Sequence, residues 1–251
     1  MSKTRHLSGI VLNKENRRED SQIIYFLSRE AGKVEVLIRG ARKINSKLAP
    51  IIAEPFALLK LVIASGKNNF HLIGGEVKES FRGIFRDEKK IIQTNALLKK
   101  INKLIKNQPD QKIFSLILKF LKKINHLPSD KIRVINNAFL IKFLAFLGYR
   151  PEINRCVICQ ELIQLKEFYS VRNDISKGVI FNLTRGGIVC LKHDLKEENA
   201  DEKINISREA LTVLRKLLYQ DFDSSIKQDF IQKDLQTAER VIKNFFDWHL
   251  E

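Results

Sequence analysis

Through the first 80 residues, apolar and polar positions alternate in short runs separated by turn residues, the period of strands lying against a core. Runs at 7–12, 23–27 and 34–38 are three such strands, and runs at 56–63 and 70–77 are two more. Residues 28–33 join the second run to the third as a hairpin, with Gly32 where a left-handed backbone is wanted. Residues 64–69 turn the fourth run into the fifth. Five short strands in about 80 residues predict a small closed barrel, and the five-stranded barrel that binds oligonucleotides is the OB-fold.

From Phe81 onward the apolar spacing becomes helical. Leu97, Leu98, Ile101, Leu104 and Ile105 share one face with Lys99, Lys100, Lys103 and Lys106 opposite, and Pro109 stops the run. Ile113, Phe114, Ile117, Phe120, Leu121 and Ile124 form a second stripe, with Lys112, Lys119, Lys122 and Lys123 on the far side. Residues 131–147 are apolar nearly all round, which predicts the buried centre of a helical domain, and Gly148 ends the run. After an acidic linker at 197–202, Ser207 caps a helix carrying Leu211, Leu214, Leu217 and Leu218. Residues 221–225 interrupt, and a last amphipathic helix uses Leu235, Ala238, Val241, Ile242 and Phe245. The pattern is therefore α+β, with a barrel domain at 1–80 and a helical domain at 81–251.

Charge changes this picture by giving it a direction. The net charge of +16 is distributed as +6 over 1–80, +12 over 81–150 and −2 over 151–251. Lysine (29) outnumbers arginine (16), as a genome-wide base bias would produce, but the acidic last third excludes that bias as the cause of the asymmetry. Such a field attracts polyanions, and nucleic acid is the commonest. Between the third and fourth strands, residues 39–47 carry Arg39, Arg42, Lys43 and Lys47 around Gly40, a loop able to follow a phosphate backbone. Tyr25, Phe26, Phe56 and Phe70 are candidates for stacking on bases, with core packing as the competing role. No stretch has the roughly 18 uncharged apolar residues a membrane span needs, and the N-terminal residues do not read as a secretory signal, so a cytoplasmic location is expected.

The cysteines add chemistry. All three lie in Cys156-Val157-Ile158-Cys159 and Cys190-Leu191-Lys192-His193. Two thiols on one turn, and a thiol with an imidazole on another, supply the four donors of a closed tetrahedral zinc site. An odd cysteine count with none left over argues against a disulfide framework. The gap of 30 residues between the turns exceeds common zinc-finger spacings and needs structure of its own, giving a zinc-binding insert at about 150–195. Cys156, Cys159, Cys190 and His193 are thus the expected ligands of one structural Zn2+ per chain, pinning a hairpin-like excursion onto the helix at 131–147. No enzyme is expected. A phosphate-binding loop fails because Leu61 stands where its first glycine belongs, a closed site leaves no open metal position, and Pro151 lies too early for a deaminase motif.

Taken in order, the GIVL opening, REAGKVEVLIRGARK, Leu147-Gly148-Tyr149-Arg150-Pro151 before the CxxC, Gly186-Gly187-Ile188-Val189 before Cys190, and the His249-Leu250 ending resemble the bacterial RecO family over essentially the whole chain. The resemblance implies an N-terminal OB-fold and a helical domain with a zinc module. It also implies a role in the RecF recombination pathway: binding single- and double-stranded DNA, annealing complements without ATP, contacting the C-terminal tail of the single-stranded DNA-binding protein SSB, and helping RecR load RecA. Arg39, Arg42 and Lys43 would fall on the DNA-binding surface. Zinc-binding relatives usually present four cysteines, so His193 is a departure. The residues alone also admit a zinc-containing RNA-binding or ribosome-associated factor, or an adaptor for SSB and RecR that does not bind DNA.

Overall fold

The computed structural model describes residues 4–17, 20–53, 56–66, 70–164, 179–190, 192–193 and 202–250. They fall into two compact units, 1–130 and 131–251. Residues 67–69 of the expected turn and 197–201 of the acidic linker lie outside the described residues.

In the first unit the five strands are β1 (Thr4–Arg17), β2 (Ser21–Ser28), β3 (Gly32–Ile38), β4 (Ala57–Ser65) and β5 (Phe70–Ser80). They close as a barrel in the order β1-β2-β3-β5-β4, an OB-fold. Closure depends on the length of β1: its first half pairs with β4 and its second with β2, with a bulge between Val11 and Asn13. At the crossing, a Cβ on Gly9 would stand 2.2 Å from Leu27 O, so a residue without one is required. Leu7, Val11, Ile24, Phe26, Val36, Leu59, Leu61 and Ile63 fill the interior from alternate positions. A helix too short for the sequence pattern to reveal, α1 (Ala49–Ala53), sends Ile52 into this core. The partly buried Lys14 donates to Ile52 O at its C-terminal end.

Two longer helices complete this unit: α2 (Glu88–Asn102), capped by Asp87, and α3 (Gln111–His126), capped by Asp110. The spacing predicted that the first would include Leu104 and Ile105, but α2 stops at Asn102. Lys33 from the β2–β3 hairpin donates to Asn102 O at 2.6 Å, and Gly32 (φ +71°) sits so close to Asn107 and Gln108 that a Cβ would meet their backbone at under 3 Å. The barrel's own hairpin therefore shapes the break, and Ile105 is buried outside a helix.

In the second unit α4 (Ile132–Phe146) is central, as its all-round apolar character predicted, with Ile135, Ala138, Phe139, Phe143 and Leu144 fully buried. A small sheet follows in the order β7-β6-β8, from β6 (Val179–Asn182), β7 (Gly187–Val189) and β8 (Lys203–Ile206). Then come α5 (Arg208–Tyr219), α6 (Phe222–Ile226) and α7 (Gln232–Leu250), and all three pack against α4. Ser207 caps α5 by accepting from Ala210 N at 3.1 Å, as expected. Residues 221–225 differ from the expected interruption. Asp221 accepts from Ser224 N at 2.7 Å and starts the short α6.

The partly buried Lys142 of α4 donates from its ammonium to Leu217 O and Leu218 O, both at 2.7 Å, at the end of α5. Burial pulls its pKa down to about 8 from 10.5, partly offset by Asp221. Between those values the unfolded lysine holds a proton that the folded one has lost, so this residue makes stability rise with pH across that window. Comparing thermal midpoints at about pH 8 and about pH 10 should give a larger gain for the wild type than for Lys142→Met. Equal gains in the two proteins would show that Lys142 titrates normally.

Candidate metal centre and basic loop

The two cysteine turns are brought together by backbone pairing. Glu152 N donates to Gly186 O at 3.0 Å, Ile188 N to Glu152 O at 2.9 Å, and Val157 N to Ile188 O at 2.9 Å, so the segment before the CxxC runs beside β7. Gly187 is needed there because a Cβ would come within 2.5 Å of Glu152 O. The CxxC turn is closed by Cys156 N donating to Glu161 O and Gln160 N to Cys156 O, both at 2.9 Å, with Gln160 in the left-handed region (φ +63°). On the other side His193 N donates to Cys190 O at 3.1 Å, which turns the imidazole back toward the thiol.

All four predicted ligands converge, with their donor atoms within 4.8 Å of one another. Cys159 Sγ lies 3.8 Å from Cys190 Sγ, and His193 Nδ1 lies 3.1 Å from Cys190 Sγ and 3.9 Å from Cys156 Sγ. A tetrahedral zinc bound at about 2.3 Å to sulfur and 2.0 Å to nitrogen spaces its ligand atoms by about 3.5–3.8 Å, so the set fits such an ion. Ile158 N and Cys190 N each donate to Cys156 Sγ at 3.4 Å. Burial pushes the Cys156 thiol up, but backbone N–H groups of Cys159, Cys190 and Ile158 outweigh it and bring the pKa down to about 6. Burial, with Cys156 and Cys159 beside it, pushes Cys190 up to about 11. One thiolate is thus favoured by the fold itself, and a bound dication would draw off the remaining protons.

The module is seated by α5 and α7, whereas the sequence pattern pointed to the helix at 131–147. Arg215 of α5 donates from Nε to Ile153 O at 2.9 Å and from a terminal nitrogen to Ile163 O at 3.0 Å, gripping the chain on both sides of the CxxC. Asn154 donates to Tyr219 Oη at 2.6 Å, and Phe181 of β6 meets Phe245 of α7 edge-on at 5.4 Å. His249, at the end of α7, lies 3.0 Å from Leu183 O through Nε2. Sequence reasoning missed Arg215, which stands more than 50 residues from either carbonyl and carries no local signal.

The other predicted site is one loop. Arg39, Arg42, Lys43 and Lys47 are all exposed, between β3 and α1 of the barrel. Gly40 (φ +65°) reverses the chain, Arg42 N donates to Asp20 O at 3.1 Å, and Lys43 Nζ stands 3.9 Å from the Asp20 carboxylate. Of the four aromatic stacking candidates, Phe26 and Phe56 are excluded because both are fully buried. Tyr25 and Phe70 are partly accessible. Tyr25 donates to Glu15 at 3.1 Å, and the Arg5 guanidinium lies 5.7 Å from the Phe70 ring centroid. Among the described residues no helix is long and apolar enough to cross a membrane.

Together the barrel, the helical unit and the Cys3His cluster define an α+β protein of the OB-fold class with a site suited to a metal ion. The chain belongs to the recombination protein O family: residues 1–81 match the family's N-terminal model and residues 96–251 its C-terminal model. Similar proteins include DNA repair protein RecO of Thermoanaerobacter sp. (strain X514), 25% identical over 246 residues, covering 97% of this chain and 91% of that relative. DNA repair protein RecO of Bacillus pumilus is 27% identical over 240 residues, covering 95% and 86%. That of Gloeothece citriformis is 25% identical over 265 residues, covering 99% and 93%. The membership implies a role in DNA repair and recombination.

The grip of Arg215 on two carbonyls predicts a measurable effect on the metal. In Arg215→Met, which keeps the stem and removes both bonds, affinity measured by chelator competition should fall about tenfold while helix content is retained. Unchanged affinity would mean that the cysteine turns hold their shape alone.

Proposed function

We propose that this protein is a DNA-binding recombination mediator that works without chemical catalysis. It binds single- and double-stranded DNA, anneals complementary strands without ATP, and with RecR helps load RecA on DNA coated by SSB. The observation that carries the reading is the exposed loop with Arg39, Arg42, Lys43 and Lys47 on an OB-fold barrel, in a chain of this family. Annealing follows from electrostatics. Cations that neutralise phosphates on two strands at once lower the repulsion keeping complements apart.

Lys99, Lys103 and Lys106 around the end of α2, and Lys112, Lys119 and Lys122 on α3, are exposed, although Lys122 pairs with Glu79 at 2.9 Å. These faces extend the cationic surface and offer a site for the acidic tail of SSB. One zinc per chain, held by Cys156, Cys159, Cys190 and His193, serves the fold and not the chemistry. The protein acts in the cytoplasm, at the nucleoid.

The deciding experiment is an ATP-free annealing assay on SSB-coated complementary strands, where added protein should speed annealing; no acceleration would overturn the reading. For duplex binding, log affinity should fall linearly with log salt at roughly −0.9 per neutralised phosphate. Combining Arg39→Ala with Lys43→Ala should make that slope shallower by about two without lowering thermal stability. Elemental analysis should return about one zinc per chain, loosened by His193→Ala.

A further inference from the structure

Ile44 is the most exposed large apolar side chain among the described residues, at 101% against 67% for the next, Ile231. It stands at the tip of the basic loop, and the loop is built to hold it there. Lys43 N donates to Gly40 O and Ser46 N to Lys43 O, both at 3.1 Å, so Ile44 and Asn45 are the central pair of the second of two successive turns. The base is tied on one side through Arg42 N to Asp20 O and on the other through the buried Ala41 and Ser46 Oγ, which accepts from Ala49 N at 3.2 Å. Turn centres favour Gly, Pro, Asn, Asp and Ser, so a β-branched apolar residue gains nothing locally from this place. It gains nothing from packing either, since it is fully exposed.

An apolar tip flanked along a hydrogen-bonded loop by four exposed cations suits a stacked polyanion, whose phosphates take the charges and whose base step takes the tip. We propose that Ile44 is a wedge that enters the base stack of duplex DNA, with Asn45 at the base edges, while Arg39, Arg42, Lys43 and Lys47 hold the flanking phosphates. This rests on the DNA-binding reading above and assigns the loop a second action, local unstacking. Because unstacking costs least where pairing is already broken, the wedge favours mismatches and strand junctions over perfect duplex. An anionic lipid surface fits less well. One apolar residue beside Asn45 is far short of the apolar face that interfacial anchors bury.

The test uses the full chain and a duplex with 2-aminopurine, which brightens on unstacking, at a central mismatch. Wild-type protein should raise the fluorescence about twofold or more. Ile44→Ser, compared at protein concentrations that saturate the duplex, should keep the salt slope set by the phosphate contacts yet give no rise. Ile44→Leu should restore the rise. A full signal from Ile44→Ser, or none from bound wild type, overturns the wedge while leaving DNA binding intact. Absence of duplex binding by every form at low salt overturns the DNA reading and the wedge with it. Phosphatidylglycerol vesicles supply the remaining arm: if Ile44→Ser loses vesicle binding but keeps the DNA signal, the tip is a membrane contact and the proposal falls.

Discussion

Glu152 makes two backbone hydrogen bonds to β7 and the residue before it, accepting from Ile188 N and donating to Gly186 O, and on these depends whether two turns separated by 30 residues of sequence ever meet. Neither half can bind a metal tightly alone, since each supplies two donors. Pairing converts them into one set of four within 4.8 Å. The exactness of the join rests on Gly187, where any side chain would push the two backbones apart. Cys156 gains twice from the arrangement, because one N–H pointing at its sulfur comes from its own turn and another from Cys190. An ion would therefore meet a cage whose first thiolate is already favoured, which lowers the cost of assembling the site.

The barrel solves a different problem, how to present charge without letting it disturb a small core. β1 runs 14 residues, long enough to pair with both of its neighbours and close the sheet, and the interior is filled without an ionised group among its clustered side chains. Cationic side chains on the strands, such as Lys14, Lys33, Lys60 and Lys78, stay outside that cluster. The loop at 39–47 gathers four more under a brace from Asp20, an acidic residue that fixes the loop's foot and offsets only part of its charge.

Much of this was legible in the sequence. Alternation located all five barrel strands, the hairpin glycine was placed correctly at Gly32, the Ser207 cap and the α5 and α7 faces were read from spacing, and the four donors that cluster followed from two short motifs. What escaped was decided by contacts distant in sequence or by segments too short to carry a period. The five residues of α1 span little more than one turn, so no face emerges. α2 ends early because Lys33 and Gly32 of the barrel hairpin occupy the space beside the connection that follows it. For Phe26 and Phe56 the competing core role named from the sequence is the one the structure shows, since both are fully buried.

Arg215 also bears on how the Cys3His segment should be regarded. Small metal-stabilised folds are often portable, able to be cut out and joined to other chains because the ion supplies their whole core. This one borrows its scaffold: the carbonyls flanking the first turn are satisfied by a guanidinium from α5, and its aromatic wall is Phe245 from α7. The cluster is grafted into the helical unit at its root, and the unit's last two long helices hold the four donors in place as much as the two turns do.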